Sequence, residues 1–138
     1  MNQTKLIPLL SQMESLAINK MNINMRKDTI TLKLKTLQEK RDDIDITFEG
    51  VSAFYYIDEN KQVHYDWDLK ATNINSITYY SDGIGEFAAI EVIDGIETGP
   101  FAVSYPNFVL EMMDKTLFIE AQSVKINDKK FKMGYPMN

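Results

Sequence analysis

The residue types best suited to hold a metal ion lie in one short segment, His64-Tyr65-Asp66-Trp67-Asp68. Residues two apart on a β-strand share a face, so His64, Asp66 and Asp68 would point the same way. An imidazole nitrogen with carboxylate oxygens is a ligand set for a divalent first-row metal. Three ligands along one flat strand diverge, however, and the same pattern is typical of the solvent face of a half-buried strand. We predict no bound metal and no cofactor, and keep this strand face as the alternative, a small-ligand or metal-binding site.

The sequence offers little for catalysis. There is no cysteine and a single histidine, His64, which excludes disulfides, thiolate zinc sites and cysteine nucleophiles. Asp43 and Asp45 alternate with apolar residues, as on a solvated strand face. Gly83-Ile84-Gly85 lacks the third glycine and the following helix of a phosphate-binding loop. We predict that the protein is not an enzyme, and a carboxylate-based hydrolase ranks last.

Aromatic residues are densest between residues 54 and 67. With a hairpin loop near residues 58–61, one face of the hairpin carries Phe54, Tyr56, Tyr65 and Trp67, and we predict that these four lie in the core. Tyr55 falls on the opposite face, beside His64. Tyr79 and Tyr80 are adjacent in sequence, so we expect one of them to face outward. An exposed tyrosine on an acidic surface is a typical anchor in a protein interface. The candidate binding residues are therefore Tyr55, His64, Asp66, Asp68 and Tyr80.

Charge is distributed very unevenly along the chain. Residues 42–124 carry sixteen acids and three lysines, a net of −13, whereas residues 1–41 carry +5 and residues 125–138 carry +3, which leaves a formal charge of only −5. A field of one sign attracts partners of the opposite sign, so the predicted partner is a basic protein. The basic residues of 26–41 are expected to pair across strands with the acidic segment 43–49. We therefore predict no binding of nucleic acid.

The apolar residues define one helix followed by strands. A three- and four-residue spacing predicts a helix at about 6–19, and its apolar residues are Leu6, Leu9, Leu10, Met13, Leu16 and Ala17. Beyond it the period becomes two, which is typical of antiparallel strands with one buried face. Such strands are predicted around residues 29–35 and 43–49, with further strands at 51–57, 62–69, 74–80, 86–93, 101–105, 108–113, 117–126 and 131–133.

These elements predict an α+β fold, with the N-terminal helix packed on a mostly antiparallel sheet that forms a roll or a sandwich. A single domain covers residues 1–138, with the helix at about 6–19, a β-rich part at 20–133 and a loose tail at 134–138. No apolar run approaches the ~20 residues of a membrane span, and the apolar run near the N-terminus is shorter than that of a secretory signal. We expect a cytoplasmic protein that does not bind membranes, and the oligomeric state stays open.

Two stretches carry a family resemblance: DIDITFEGVSAFYYI at residues 43–57, and NFVLEMMDKTLFIEA at residues 107–121 with Ile126-Asn127 after it. Together they resemble the YxiG-like group of small proteins from low-GC Gram-positive bacteria. The resemblance implies a bacterial cytosolic protein without known catalytic residues, of a kind encoded near polymorphic toxins, where neighbours include immunity proteins. The expected function is a non-enzymatic binding protein that engages a protein partner through an acidic and aromatic surface, and an immunity protein is the specific form that the resemblance suggests.

Overall fold

The computed structural model describes residues 3–35, 43–58 and 73–136. The described elements are one α-helix and eleven β-strands, and every strand pairing between them is antiparallel. The predicted mostly antiparallel fold with an N-terminal helix is therefore confirmed. The elements are α1 (Gln3–Ser11), β1 (Ala17–Asn24), β2 (Thr29–Lys35), β3 (Ile44–Glu49), β4 (Ala53–Asp58), β5 (Ser76–Tyr79), β6 (Phe87–Ile93), β7 (Ile96–Ser104), β8 (Phe108–Met112), β9 (Lys115–Glu120), β10 (Ser123–Ile126) and β11 (Lys129–Lys132).

The strands form two larger sheets and one separate hairpin. The five-stranded sheet has the order β1-β2-β3-β10-β11, the four-stranded sheet has the order β4-β9-β8-β5, and β6 pairs with β7. The chain enters the four-stranded sheet at β4 and returns to the five-stranded sheet between β9 and β10. Residues 121–122 are therefore the point where the chain passes from one sheet to the other.

One apolar core joins both larger sheets and the helix. Period-two alternation turns Ile30, Leu32 and Leu34 of β2 inward, where each is fully buried. The rings of Phe48 on β3 and Phe108 on β8 meet edge to face, with centroids 5.0 Å apart. Leu6 and Leu10 of α1 are buried in the same cluster and Leu9 packs against it, so the helix contributes the leucine stripe that its spacing predicted.

The helix is shorter than predicted and ends at Ser11. Beyond it the backbone makes tight turns, and Ser15 adopts a φ of 72° while its N–H donates to the Ile74 carbonyl oxygen at 2.7 Å. Met13 and Leu16 are buried by these turns and not by a continuing helix. The three- and four-residue spacing therefore extended past the true end of the helix and concealed strand β1.

Two other boundaries differ from the prediction. The strand expected at 117–126 is divided into β9 and β10, which belong to different sheets. The tail expected to be loose is packed as far as residue 136, since the Tyr135 hydroxyl donates to the Gly50 carbonyl oxygen at 2.7 Å and Pro136 is buried.

The predicted strand at 62–69 lies outside the described residues. The one helix of the described chain is too short to cross a membrane.

Candidate functional site

The structure describes two of the five predicted binding residues. The predicted strand face of His64, Asp66 and Asp68 lies outside the described residues. Among the described residues, no three histidine, aspartate or glutamate side chains lie together as a metal-binding group.

Tyr55 lies on β4, on the face opposite Phe54 and Tyr56, as its position in the strand predicted. Its hydroxyl shares a 2.6 Å hydrogen bond with Ser104 Oγ, and its ring lies 4.9 Å from that of Phe87. Ser104 and Phe87 are the residues at which the β6–β7 hairpin leaves the body. Tyr55 is therefore an anchor for that hairpin. Phe54 and Tyr56, expected in the core, are both more than one third exposed because β4 is the outermost described strand of its sheet.

Tyr80 is the outward-facing member of the Tyr79–Tyr80 pair, with 41% of its surface exposed. Its N–H donates to the Asn107 carbonyl oxygen at 2.8 Å, which fixes the start of the loop 80–86. Burial raises the pKa of Tyr79, and the nearby Asp82 carboxylate raises that pKa further. Tyr80 and the exposed Asp82 thus present an aromatic ring and an acid on one loop.

An open groove of about 730 Å³ lies beside this loop. A Cβ built on Gly83 would lie 3.3 Å from the Tyr105 Cβ and 3.4 Å from the Pro136 Cβ, so the loop backbone rests directly on the groove wall. We call this cleft the acidic groove, and the described residues that line it are Ser52, Glu86, Val103, Tyr105, Glu120, Tyr135 and Pro136.

Glu120 is the unusual residue of the acidic groove, because only 8% of its surface is exposed. Its carboxylate accepts hydrogen bonds from Ser52 Oγ and, at 2.5 Å, from the Tyr105 N–H. Both donors are neutral, and in the described part of the chain no lysine or arginine forms an ion pair with Glu120. A buried carboxylate usually has a cationic partner, whereas the described residues give Glu120 only these two neutral donors.

The rim of the acidic groove adds a second acid and aromatic surface. Glu86 is exposed on one side. On the other side Tyr135 is nearly half exposed while its hydroxyl is held by Gly50. Two carboxylates with tyrosine rings are a combination that binds ammonium and guanidinium groups, through charge-assisted hydrogen bonds and cation–π contact.

Gly50 is required for the shape of this region. Its φ is +63°, and a Cβ there would lie 2.8 Å from the Gln122 Cβ and 3.4 Å from the Tyr135 hydroxyl. Any side chain would therefore displace the segment that joins the two sheets or the tyrosine that rims the groove.

The sequence reasoning did not identify Glu120, Tyr105 or Tyr135. The one available signal was an acid inside an otherwise apolar run, Leu117-Phe118-Ile119-Glu120-Ala121. Alternation alone assigns such an acid to solvent, because it does not reveal that the loop 80–86 and the C-terminal segment cover that face.

Comparison with known proteins gives one family. A family model described as YxiG-like protein matches residues 6–131. No curated protein matches the chain. The matched range includes β1 to β10, Glu86, Glu120 and the loop that carries Tyr80, and it ends before Tyr135.

Proposed function

The chain belongs to the YxiG-like family, and from that premise we propose that it is a non-enzymatic protein that binds a basic protein partner through the acidic groove and Tyr80. The observation that carries the proposal is the buried Glu120, which lines an open groove with only neutral donors around its carboxylate. A partner that inserts a cation would supply the missing counter-charge.

An arginine of the partner fits this site better than a lysine. A guanidinium is planar, presents several N–H donors and stacks on aromatic rings, whereas an ammonium is a compact and strongly hydrated charge. In the acidic groove, Glu120 and Glu86 offer carboxylate oxygens and Tyr105 and Tyr135 offer rings. Tyr80 is on the loop whose Gly83 rests against the groove wall, and it supplies an exposed aromatic contact of the kind enriched at interface hot spots.

We propose further that the protein is cytoplasmic and of immunity type, and that its partner is a toxin domain. Enzymes that cleave nucleic acids have basic substrate channels, and an acidic surface that occupies such a channel excludes substrate by charge complementarity. The excess of acids between residues 42 and 124 supports this version. Membership of the family supports no particular partner.

The test is to measure binding with groove variants. A nuclease toxin domain with a basic substrate channel, the proposed class of partner, serves as bait, and its affinity is measured by calorimetry for the wild type, Glu120→Gln and Glu86→Gln. Because Glu120 is buried, Glu120→Gln should weaken the affinity by about 30-fold or more. Glu86 is exposed, so Glu86→Gln should weaken the affinity by only about fivefold, mainly by slowing association. Thermal melting must show that each variant is folded.

Asp128→Asn is the matched control. It removes one exposed acid from the turn between β10 and β11, on the five-stranded sheet, and leaves the groove untouched. It should leave the affinity within about twofold, as expected for a remote surface charge. If Glu120→Gln binds as tightly as Asp128→Asn in moderate salt, the groove is not the binding site.

A small cationic ligand is the second candidate. The volume of the acidic groove falls inside the range of about 300–1,000 Å³ that is typical of small-molecule sites. Titration with arginine and with spermidine separates the two candidates: micromolar binding that Glu120→Gln abolishes would favour a small ligand over a protein.

The finer architecture is also a proposal. We propose that the two larger sheets form a sandwich, since the inner faces of both enter one core and Phe48 and Phe108 meet between them.

A further inference from the structure

The β6–β7 hairpin is an arm whose strands, among the described elements, pair only with each other. It closes at Asp94-Gly95, where φ values of 52° and 80° match the two-residue turn preferred in hairpins. Six residues from Ala88 to Ile93 at about 3.3 Å each carry the tip about 20 Å from the base. The arm is thus a formed but isolated two-stranded ribbon.

The tip of the arm is apolar and exposed. Ile93 and Ile96 are directly opposite each other next to the turn, and Ile96 has 67% of its surface exposed. Val92, on the other face, is also more than half exposed. The base is held by Phe87, whose ring packs between Tyr55 and Phe118, but that contact does not reach the tip.

An isolated hairpin is marginally stable in water, and clustered exposed apolar residues mark interaction sites. Ile93, Ile96 and Val92 therefore need a surface to cover them. This reasoning does not use Glu120 and stands apart from the proposed function, although Val103 at the base of the arm also lines the acidic groove.

A second apolar surface lies on the body. A groove of about 310 Å³ separates the turn between β1 and β2 from the start of β4. We call it the apolar groove, and its apolar lining residues include Ile23, Met25, Ile30, Val51 and Phe54. Met25 has 80% of its surface exposed, and Ile23 and Phe54 each expose more than one third.

The arm and the β1–β2 turn that borders the apolar groove have net charges of opposite sign. Residues 87–104 contain three acids and no base, whereas the turn at residues 25–28 contains Arg26 and Lys27 against one acid, Asp28. An arm tip seated in the groove with Ile93 and Ile96 would bring Asp94 and Glu97 toward the two bases of this turn. Apolar contact with flanking opposite charges is the usual arrangement of a specific interface.

We propose that the occupant of the apolar groove is the arm tip of a second copy of this chain. Each protomer carries one arm and one groove, so two copies exchange arms around a two-fold axis and leave no apolar tip free. Such a closed, self-complementary contact is the commonest form of homodimer.

The first experiment measures the oligomeric state. Light scattering after size exclusion should give a dimer for the wild type, and Ile96→Lys should raise the dissociation constant at least about tenfold, because it places a charge in an apolar site beside Arg26 and Lys27. Ile7→Lys is the matched control: Ile7 is 55% exposed on the helix, outside both surfaces, and its variant should remain dimeric.

The second experiment tests which surfaces meet. The chain has no cysteine, so single cysteines can be introduced at will. An equimolar mixture of Ile96→Cys and Met25→Cys should form a disulfide heterodimer under mild oxidation, and a mixture of Ile7→Cys and Met25→Cys should not.

The outcomes decide the proposal. A wild type that stays monomeric up to about 500 µM overturns it and leaves a different protein as the occupant. A dimer that Ile96→Lys leaves intact, or cross-linking no greater for the Ile96→Cys mixture than for the Ile7→Cys mixture, also overturns it. Loss of the dimer in Ile96→Lys with unchanged binding of a basic partner by the monomer would leave the proposed function standing.

Discussion

Replacing Asn107 with alanine should be among the most damaging single changes in this fold. Asn107 precedes β8 and has 1% of its surface exposed. Its Nδ2 donates to the Ala121 carbonyl oxygen at 2.9 Å, and its Oδ1 accepts from the Ala121 N–H at 3.0 Å. One side chain thus satisfies both backbone groups of the residue at which the chain leaves the four-stranded sheet for the five-stranded sheet.

The magnitude follows from the two bonds. Asn107→Ala leaves a buried N–H and a buried carbonyl without partners, and each such group costs about 1–3 kcal/mol. The summed loss in the free energy of unfolding is about 2–6 kcal/mol, with about 3 kcal/mol as the central expectation. For a chain of this size that corresponds to a melting temperature lower by about 10 °C.

Urea denaturation followed by far-UV circular dichroism measures this loss. Asn75→Ala is the matched control, because Asn75 is exposed and makes only a backbone hydrogen bond among the described residues; it should cost less than about 0.5 kcal/mol. Asn107→Asp should also destabilise, since a carboxylate oxygen would replace the donor that faces the Ala121 carbonyl. An Asn107→Ala protein as stable as Asn75→Ala would refute the reasoning.

Three further predictions concern stability. Phe48→Ala should cost about 3–5 kcal/mol in urea denaturation, because the ring is fully buried in the shared core; a cost below about 1 kcal/mol would contradict that packing. Gly50→Ala should lower the free energy of unfolding by at least about 1–2 kcal/mol in the same assay, because the new Cβ would lie 2.8 Å from the Gln122 Cβ at a φ of +63°. An unchanged stability would contradict this steric argument and show that residues 121–122 move aside without cost. Burial and Asp82 raise the pKa of Tyr79, so the stability this group contributes is complete below its unfolded pKa of about 10 and is lost as pH rises through the folded pKa. Tyr79→Phe should therefore lessen the fall in melting temperature above about pH 10, and an unaltered pH profile would contradict the assignment.

The strands that alternate cleanly were predictable from sequence. The alternation of Ile30, Leu32 and Leu34 predicted one buried strand face, and all three side chains are buried. The neighbouring strand pairs with them in register through Ile46 and Phe48. Strand β1 was not predictable in this way. It has a bulge between Ile18 and Lys20, which breaks the two-residue period at the point where the signal was needed.

The division of residues 117–126 into two strands also lay beyond the sequence pattern. Ala121 is buried, so the apolar run continues through the point where the chain changes sheets. What ends β9 there is Asn107, 14 residues earlier in sequence, which takes over the hydrogen bonds that a strand partner would otherwise make. A long-range polar contact of this kind leaves no periodic signal.

The candidate site was predictable in character but not in its residues. The acidic segment and an exposed tyrosine followed from composition, and Tyr80 is exposed as expected. Tyr55 is instead engaged with Ser104 and Phe87, because the hairpin that covers it comes from a distant part of the chain. Glu120 became a candidate only when its burial was known.

The division of charge along the sequence becomes a division between sheets. The strands of the five-stranded sheet carry seven lysines and only two acids, Asp45 and Glu49, whereas residues 87–104 of the arm carry three acids and no base. Lys33 lies opposite Asp45 in the register of β2 and β3, and Lys130 Nζ lies 3.4 Å from Glu49 Oε1, so each of the two acids has a lysine of the same sheet as a neighbour. Lys125 and Lys130 remain directly opposite each other, an arrangement that costs stability in a sheet. Under the proposed function, a basic partner would be repelled by this sheet and attracted by the acids of the acidic groove, which would orient the encounter before any contact forms.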